Sequence, residues 1–122
     1  MPYDVCFIGL GYIGLPTSAL LAKAGNSVLG VDINPQRIRE IESGLKAAHE
    51  PGLSELLDNC LTSGRLELST DPRPSSTFII AVPTPIDDSK SPDLKAVISA
   101  TKSIIDFLEP VSYTHLTLPT NR

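Results

Sequence analysis

Three glycines and one aspartate carry the most informative spacing in this chain. Gly9, Gly11 and Gly14 stand in VCFIGLGYIGLPT, and Asp32 follows the last of them by 18 positions, closing the apolar run SVLGVD. A G-x-G-x-x-G that leaves a strand and opens a helix suits the binding of an anionic dinucleotide. Gly9 permits the tight turn, Gly11 lets the backbone approach a pyrophosphate with no Cβ in the way, and Gly14 lets the helix lie close on the strand. The helix N-terminus adds free N–H groups and a partial positive charge. A carboxylate at the end of the next strand can accept hydrogen bonds from both ribose hydroxyls, and it would repel a 2′-phosphate. The expected ligand is therefore NAD rather than NADP. The bland alternatives are a strand–turn–helix corner with no ligand and a solvated turn aspartate. The joint occurrence of strand, turn, helix and acid argues against them. Arg37 complicates the choice, because a nearby arginine can accommodate a phosphate. Stacking on the adenine or pairing with Asp32 are its other readings.

These residues need a scaffold, and the sequence supplies an alternating one. DVCFI (4–8) reads as a buried strand, and Leu15–Ala24 as a helix with Pro16 in its first turn and Gly25 as its stop. SVLGVD reads as a second strand. Asn34 then caps a helix with Pro35 at its first position and Ile38, Ile41 and Leu45 on its apolar face, ended by Gly44. After the loop AAHEPG, Ser54–Ser63 reads as a helix with Leu53, Leu56, Leu57, Cys60 and Leu61 on one side, stopped by Gly64. LELS is a short strand, and FIIAV (78–82) a strand buried on both faces. PTPIDDSKSP is a polar loop, from which Ser91-Pro92 opens a long helix with Leu94, Val97, Ile98, Ile104, Ile105 and Leu108 inward. Strands alternating with helices predict a parallel sheet covered on both faces, with its ligand beyond the carboxyl ends of the strands.

Composition narrows the function classes. A chain of 122 residues, 41% hydrophobic and 20% charged, suits one soluble domain. A net charge of −4 argues against a nucleic-acid surface. No run of 18 apolar residues or signal peptide is visible, so no membrane span is expected. Cys6 and Cys60 lie in apolar segments and read as buried thiols of a reducing cytoplasm. His49 and Glu50 read as a solvated turn, although their loop could face a site. Asp87, Asp88 and Asp93 could suggest a metal; solvation, and for Asp93 a helix dipole, explains them better.

GLGYIGLPT, GVDIN, HEPGL and above all IIAVPTP followed by PDL resemble the UDP-glucose/GDP-mannose dehydrogenases. AVPTPI with SPDLKAV is most similar to the branch acting on UDP-N-acetylmannosamine or other UDP-N-acetylhexosamines. The likeness runs from Val5 to Leu108. It implies a Rossmann-like, doubly wound α/β domain, here truncated. The parent enzyme would be a cytoplasmic homo-oligomer of several hundred residues that oxidises the C6 alcohol of a UDP-sugar to a carboxylate in two NAD-dependent steps. By position it implies Gly9, Gly11, Tyr12, Ile13, Gly14, Asp32, Arg37 and Thr84 as cofactor residues. Tyr12 and Ile13 would present N–H groups to the pyrophosphate, and Thr84 would contact the cofactor nearer the nicotinamide. The family's nucleophilic cysteine and its lysine and asparagine partners have no counterpart motifs here. No catalytic residue and no metal ligand is therefore expected within the chain, and the chain alone is expected to be inactive.

The resemblance stops at Pro110. The family's Ser-Thr-x-x-x-Gly-Thr-like loop is replaced by VSYTHLTLPTNR, still β-prone but without a family motif. Residues 1–110 are read as the NAD-binding domain. Residues 111–122 are read as a foreign tail of the kind adapter read-through leaves, which makes His115 a poor catalytic candidate. Two rivals stand beside the main reading: a stand-alone NAD-binding module without catalysis, and the N-terminal domain of a hydroxyacid-type dehydrogenase.

Overall fold

All five strands of the sheet run in the same direction, in the order β3-β2-β1-β4-β5. The computed structural model describes residues 3–11, 13–43, 52–83 and 93–108, and the backbone of 113–116. The strands are β1 Tyr3–Ile8, β2 Val28–Val31, β3 Leu66–Ser69, β4 Ser75–Ile80 and β5 Tyr113–Leu116. The helices are α1 Gly14–Lys23, α2 Pro35–Glu42, α3 Leu53–Thr62 and α4 Lys95–Ile104, the last continued by a 3₁₀ turn, Ile105–Phe107. Tyr12, Gly44, Leu45, His49, Glu50, Thr84, Asp87, Asp88, Ser91, Pro92 and the tail outside 113–116 lie outside the described residues.

Alternation along the central strands sorts the core into two layers. Val5 and Phe7 of β1 and Val28 of β2 face α1, α2 and α3, where they meet Leu15, Ala19, Ile38, Ile41, Leu57 and Cys60. Cys6 and Ile8, with Leu29, Val31, Phe78 and Ile80, face the other side and meet Ala100 and Ile104 of α4. The expected sheet with helices on both faces is present.

The punctuation residues act as their chemistry dictates. Asn34 caps α2 by accepting the Gln36 N–H at 3.0 Å, with Pro35 at the first helical position. Gly25 and Gly64 take positive φ just past α1 and α3. Asp93 accepts the Lys95 N–H at 3.0 Å at the start of α4.

Two expectations need correction. The strand expected at 78–82 begins three residues earlier and ends at Ile80, because pairing with β1 starts at Tyr3↔Ser75 and draws Ser75–Thr77 into the ladder. Leu94, Ile98, Ile105 and Leu108, expected inward, are 43–56% exposed. Among the described residues α4 is the one α-helix on its face of the sheet, so a single stripe, Val97, Ala100 and Ile104, finds cover.

Candidate dinucleotide-binding site

The order in which strands are added to the sheet reverses between β1 and β4. From β1 the chain winds outward through β2 to β3, then returns to the far side of β1 as β4. A crevice at the carboxyl ends of these strands follows from that reversal. The glycine turn sits on it.

The three glycines are not equivalent. Gly9 takes φ +106°, and a Cβ there would lie 2.3 Å from the carbonyl oxygen of Ala81, just past β4. A Cβ on Gly14 would lie 1.8 Å from the carbonyl oxygen of Gly9 and 3.2 Å from Cε1 of Phe7. Both are fixed by backbone approach within the fold. Gly11 has no positive φ, is exposed, and a Cβ on it would meet nothing within 4 Å among the described residues. No described residue requires glycine at position 11, and Gly11 lines the crevice.

Between Gly9 and Gly11, Leu10 is held at every point. Its side chain is fully buried over Gly30 of β2, where an added Cβ would come within 3.1–3.3 Å of the leucine methyls. Its N–H donates to Asp32 Oδ2 at 3.2 Å, and its carbonyl accepts from Arg37 Nε at 2.8 Å. The other Asp32 oxygen accepts the Asn34 N–H at 3.0 Å. Arg37 does not pair with Asp32, one of its expected roles; it lies 3.6 Å from Glu40.

The crevice encloses about 620 Å³. Gly9, Gly11, Ile13, Gly14, Asp32 and Arg37 all line it, so the structure brings together every described residue of the expected set. Tyr12 and Thr84 are outside the described residues, although Pro83, next to Thr84, is on the rim. Sequence reasoning missed Ile33, the Thr70–Pro72 segment after β3, and Ala96, Ser99 and Ser103 of α4. The α4 residues carried a legible signal, since small side chains recur there at helical spacing. Thr70–Pro72 carried none, because its place depends on how the β3–β4 link crosses the sheet. No side chain caps α1 and no acidic residue stands in its first turn; Leu15 donates its N–H to the Gly11 carbonyl at 3.0 Å and Pro16 has none, so an anion here would be met by the N–H groups of Ile13 and Gly14.

Both cysteines are buried, which disfavours the thiolate a nucleophile needs. Burial pushes the Cys6 thiol up to about 11, and it also raises Cys60. Cys60 adjoins a second hollow of about 530 Å³, between α1 and α3, which contains none of the glycine-turn residues. No group of three metal-ligating side chains occurs among the described residues.

Residues 3–113 match the NAD-binding domain of the UDP-glucose/GDP-mannose dehydrogenase family. The chain belongs to this family. The match takes in every strand from β1 to the first residue of β5. The hydroxyacid-type rival falls with it. Among similar proteins, a UDP-N-acetyl-D-mannosamine dehydrogenase of Methanococcus maripaludis is 45% identical over 114 residues, 88% of this chain and 27% of the relative. An NDP-N-acetyl-D-galactosaminuronic acid dehydrogenase of Ralstonia nicotianae is 41% identical over 105 residues, 86% of this chain and 25% of the relative. The solved UDP-N-acetyl-mannosamine dehydrogenase of Staphylococcus aureus superposes with a TM-score of 0.88 at 45% identity, covering 94% of this chain and 28% of that one. The chain thus spans about a quarter of the length of the relatives it matches. The family's cofactor is NAD, and the crevice fits it: a bare backbone at Gly11, an uncapped helix N-terminus and a carboxylate lie along one cleft. No described helix is long and apolar enough to cross a membrane.

Proposed function

We propose that this chain is the NAD-binding portion of an enzyme that oxidises the C6 alcohol of a UDP-N-acetylhexosamine, UDP-N-acetylmannosamine foremost, to the carboxylate. The observation that carries the cofactor assignment is Gly11, whose missing side chain makes way for no described residue of the fold. It leaves room for a pyrophosphate against the turn, where N–H groups of Tyr12, Ile13 and Gly14 would hold it. Asp32 accepts one backbone N–H on each oxygen, which leaves a lone pair on each for the ribose hydroxyls. Ile33, exposed at the crevice, offers an apolar face to the adenine. Thr84 would lie nearer the nicotinamide. Bound NAD supplies the hydride acceptor. Alcohol to carboxylate removes four electrons, so one sugar consumes two NAD and one water and releases two NADH. The thiol that holds the aldehyde is assigned to residues other than Cys6 and Cys60. The branch rests on the AVPTPI and SPDLKAV motifs and on the similarity to mannosamine-type relatives. Two free, buried thiols suit a cytoplasmic enzyme. The whole enzyme is proposed to be a homo-oligomer.

Calorimetric titration of the 122-residue chain tests the cofactor assignment: NAD should bind saturably, and NADP at least tenfold more weakly. Mixed with UDP-N-acetylmannosamine and NAD, the chain should make no NADH, whereas the product of the whole gene should make two per sugar. Steady NADH production by the chain alone, or no saturable NAD binding, defeats the reading.

A further inference from the structure

The cofactor set treats Arg37 as a residue that touches the ligand. Its geometry gives it a different task. Arg37 spends its Nε on the Leu10 carbonyl at 2.8 Å and turns a terminal nitrogen toward Glu40. Leu10 is the residue between the two glycines of the turn, and its N–H is already held by Asp32 from the other side. The side chain beneath is buried on Gly30, a position in β2 where a larger residue would push it away. Gly30 lies in β2, Asp32 just past its end and Arg37 in the first turn of α2, so one corner of the fold grips the turn through side chain, donor and acceptor. The neighbours on each side, Gly9 and Gly11, are the residues least able to hold a conformation unaided.

We propose that Arg37 is a positioning residue: it acts on the cofactor through Leu10, fixing the glycine turn in the shape that receives the pyrophosphate. This rests on the NAD assignment above and goes beyond it. With Asp32 it forms a bracket, so the group that reads the ribose and the loop that holds the phosphates are set by one pair of hydrogen bonds. A loop aligned before binding does not lose its freedom on binding, and the gain is confined to ligands that reach the loop.

The bracket is tested without ligand and with two ligands. Amide hydrogen exchange at Leu10 and Gly11 in the free 122-residue chain should quicken at least tenfold in Arg37→Gln and recover in part in Arg37→Lys. In Glu40→Gln, which leaves the Nε bond intact, it should stay within twofold. In titrations followed by NMR, Arg37→Gln should weaken NAD about tenfold and adenosine, which does not reach the loop, less than twofold. Equal losses for NAD and adenosine would show that Arg37 touches the adenosine half directly, and unchanged exchange would show that it does not hold the turn; either result overturns the proposal. If Arg37→Gln fails to fold, Arg37→Lys carries the same comparison. If the unsubstituted chain fails to bind NAD, the function reading falls, while the exchange data still decide the bracket.

Discussion

The carbonyl oxygen of Gly9 stands where a Cβ on Gly14 would have to go, 1.8 Å from the ideal position. The obstacle is backbone, so no side chain can turn aside. Gly14→Ala must therefore lift α1 off the turn. The expected loss is about 3 kcal/mol of stability, at the upper end for overfilling a tight site, and a melting temperature lower by roughly 10 °C.

Gly11→Ala should behave in the opposite way. Its Cβ meets no described atom, so the melting temperature should stay within about 2 °C, on the order of 0.5 kcal/mol. NAD affinity should fall at least tenfold, about 1.4 kcal/mol. Calorimetry beside thermal melts checks the pair. A Gly11→Ala chain that binds NAD normally would show that the turn is not the phosphate site.

Much of this was legible in the sequence, and the reason is local. Gly9, Gly25, Gly64, Asn34 and Pro35 act through their own backbone chemistry, so their roles follow from type and position. The buried runs around Phe7, Leu29 and Phe78 announce a two-sided sheet by lacking polar alternation. What sequence could not supply was partner choice. Ile98 and Ile105 are as apolar as Ile104, yet Ile104 is 1% exposed and the other two are more than half exposed. Only the number of helices sharing that face decides it. Likewise Arg37 lies within reach of several acceptors in the chain, and its bond to Leu10 appears only when α2 is set beside the turn.

Asp32→Ala removes the proposed ribose contact and also the acceptor of the Leu10 N–H. NAD affinity should drop by about 1.5–3 kcal/mol, the range for hydrogen bonds to a charged group, and the gap to NADP should narrow. Asp32→Asn separates the two effects. It keeps an oxygen for Leu10 but turns its NH2 toward the Asn34 N–H, so melting temperature should fall less than in Asp32→Ala, and it loses the charge that repels a 2′-phosphate. Unchanged NAD affinity in Asp32→Ala would take Asp32 out of the site.

Alkaline pH should loosen the core through Cys6. Burial raises its thiol from 9.0 to about 11. Between those values the unfolded chain gives up a proton that the folded chain keeps, so this stabilisation is full below pH 9 and is lost as pH rises toward 11. The whole window amounts to about 3 kcal/mol. Cys60, also raised by burial, and Tyr3, raised by its hydrogen bond to Glu67, shift the same way. Urea unfolding at pH 8 and pH 10.5 should therefore show a smaller fall for Cys6→Ala than for the unsubstituted chain. Identical falls would mean that Cys6 does not carry the effect.

Residues 111–122 should contribute to the sheet and not to the site. Tyr113–Leu116 forms the edge strand β5, parallel to β4 in the register Thr77↔Tyr113 to Ile80↔Leu116. The crevice, by contrast, is lined by described residues from Ile8 to Ser103. The family match ends at Tyr113, and the remaining THLTLPTNR offers Thr114, Thr117 and Thr120 without a glycine to turn a loop back onto a cofactor. Deleting 111–122 bares the outer edge of β4, so melting temperature should fall by several degrees, on the order of 1–2 kcal/mol for a lost edge strand of four residues. NAD affinity of residues 1–110, measured at a temperature where both chains are folded, should stay within twofold of the full chain. A loss of tenfold or more, about 1.4 kcal/mol, would place the tail in the binding site and make it a working part of the domain.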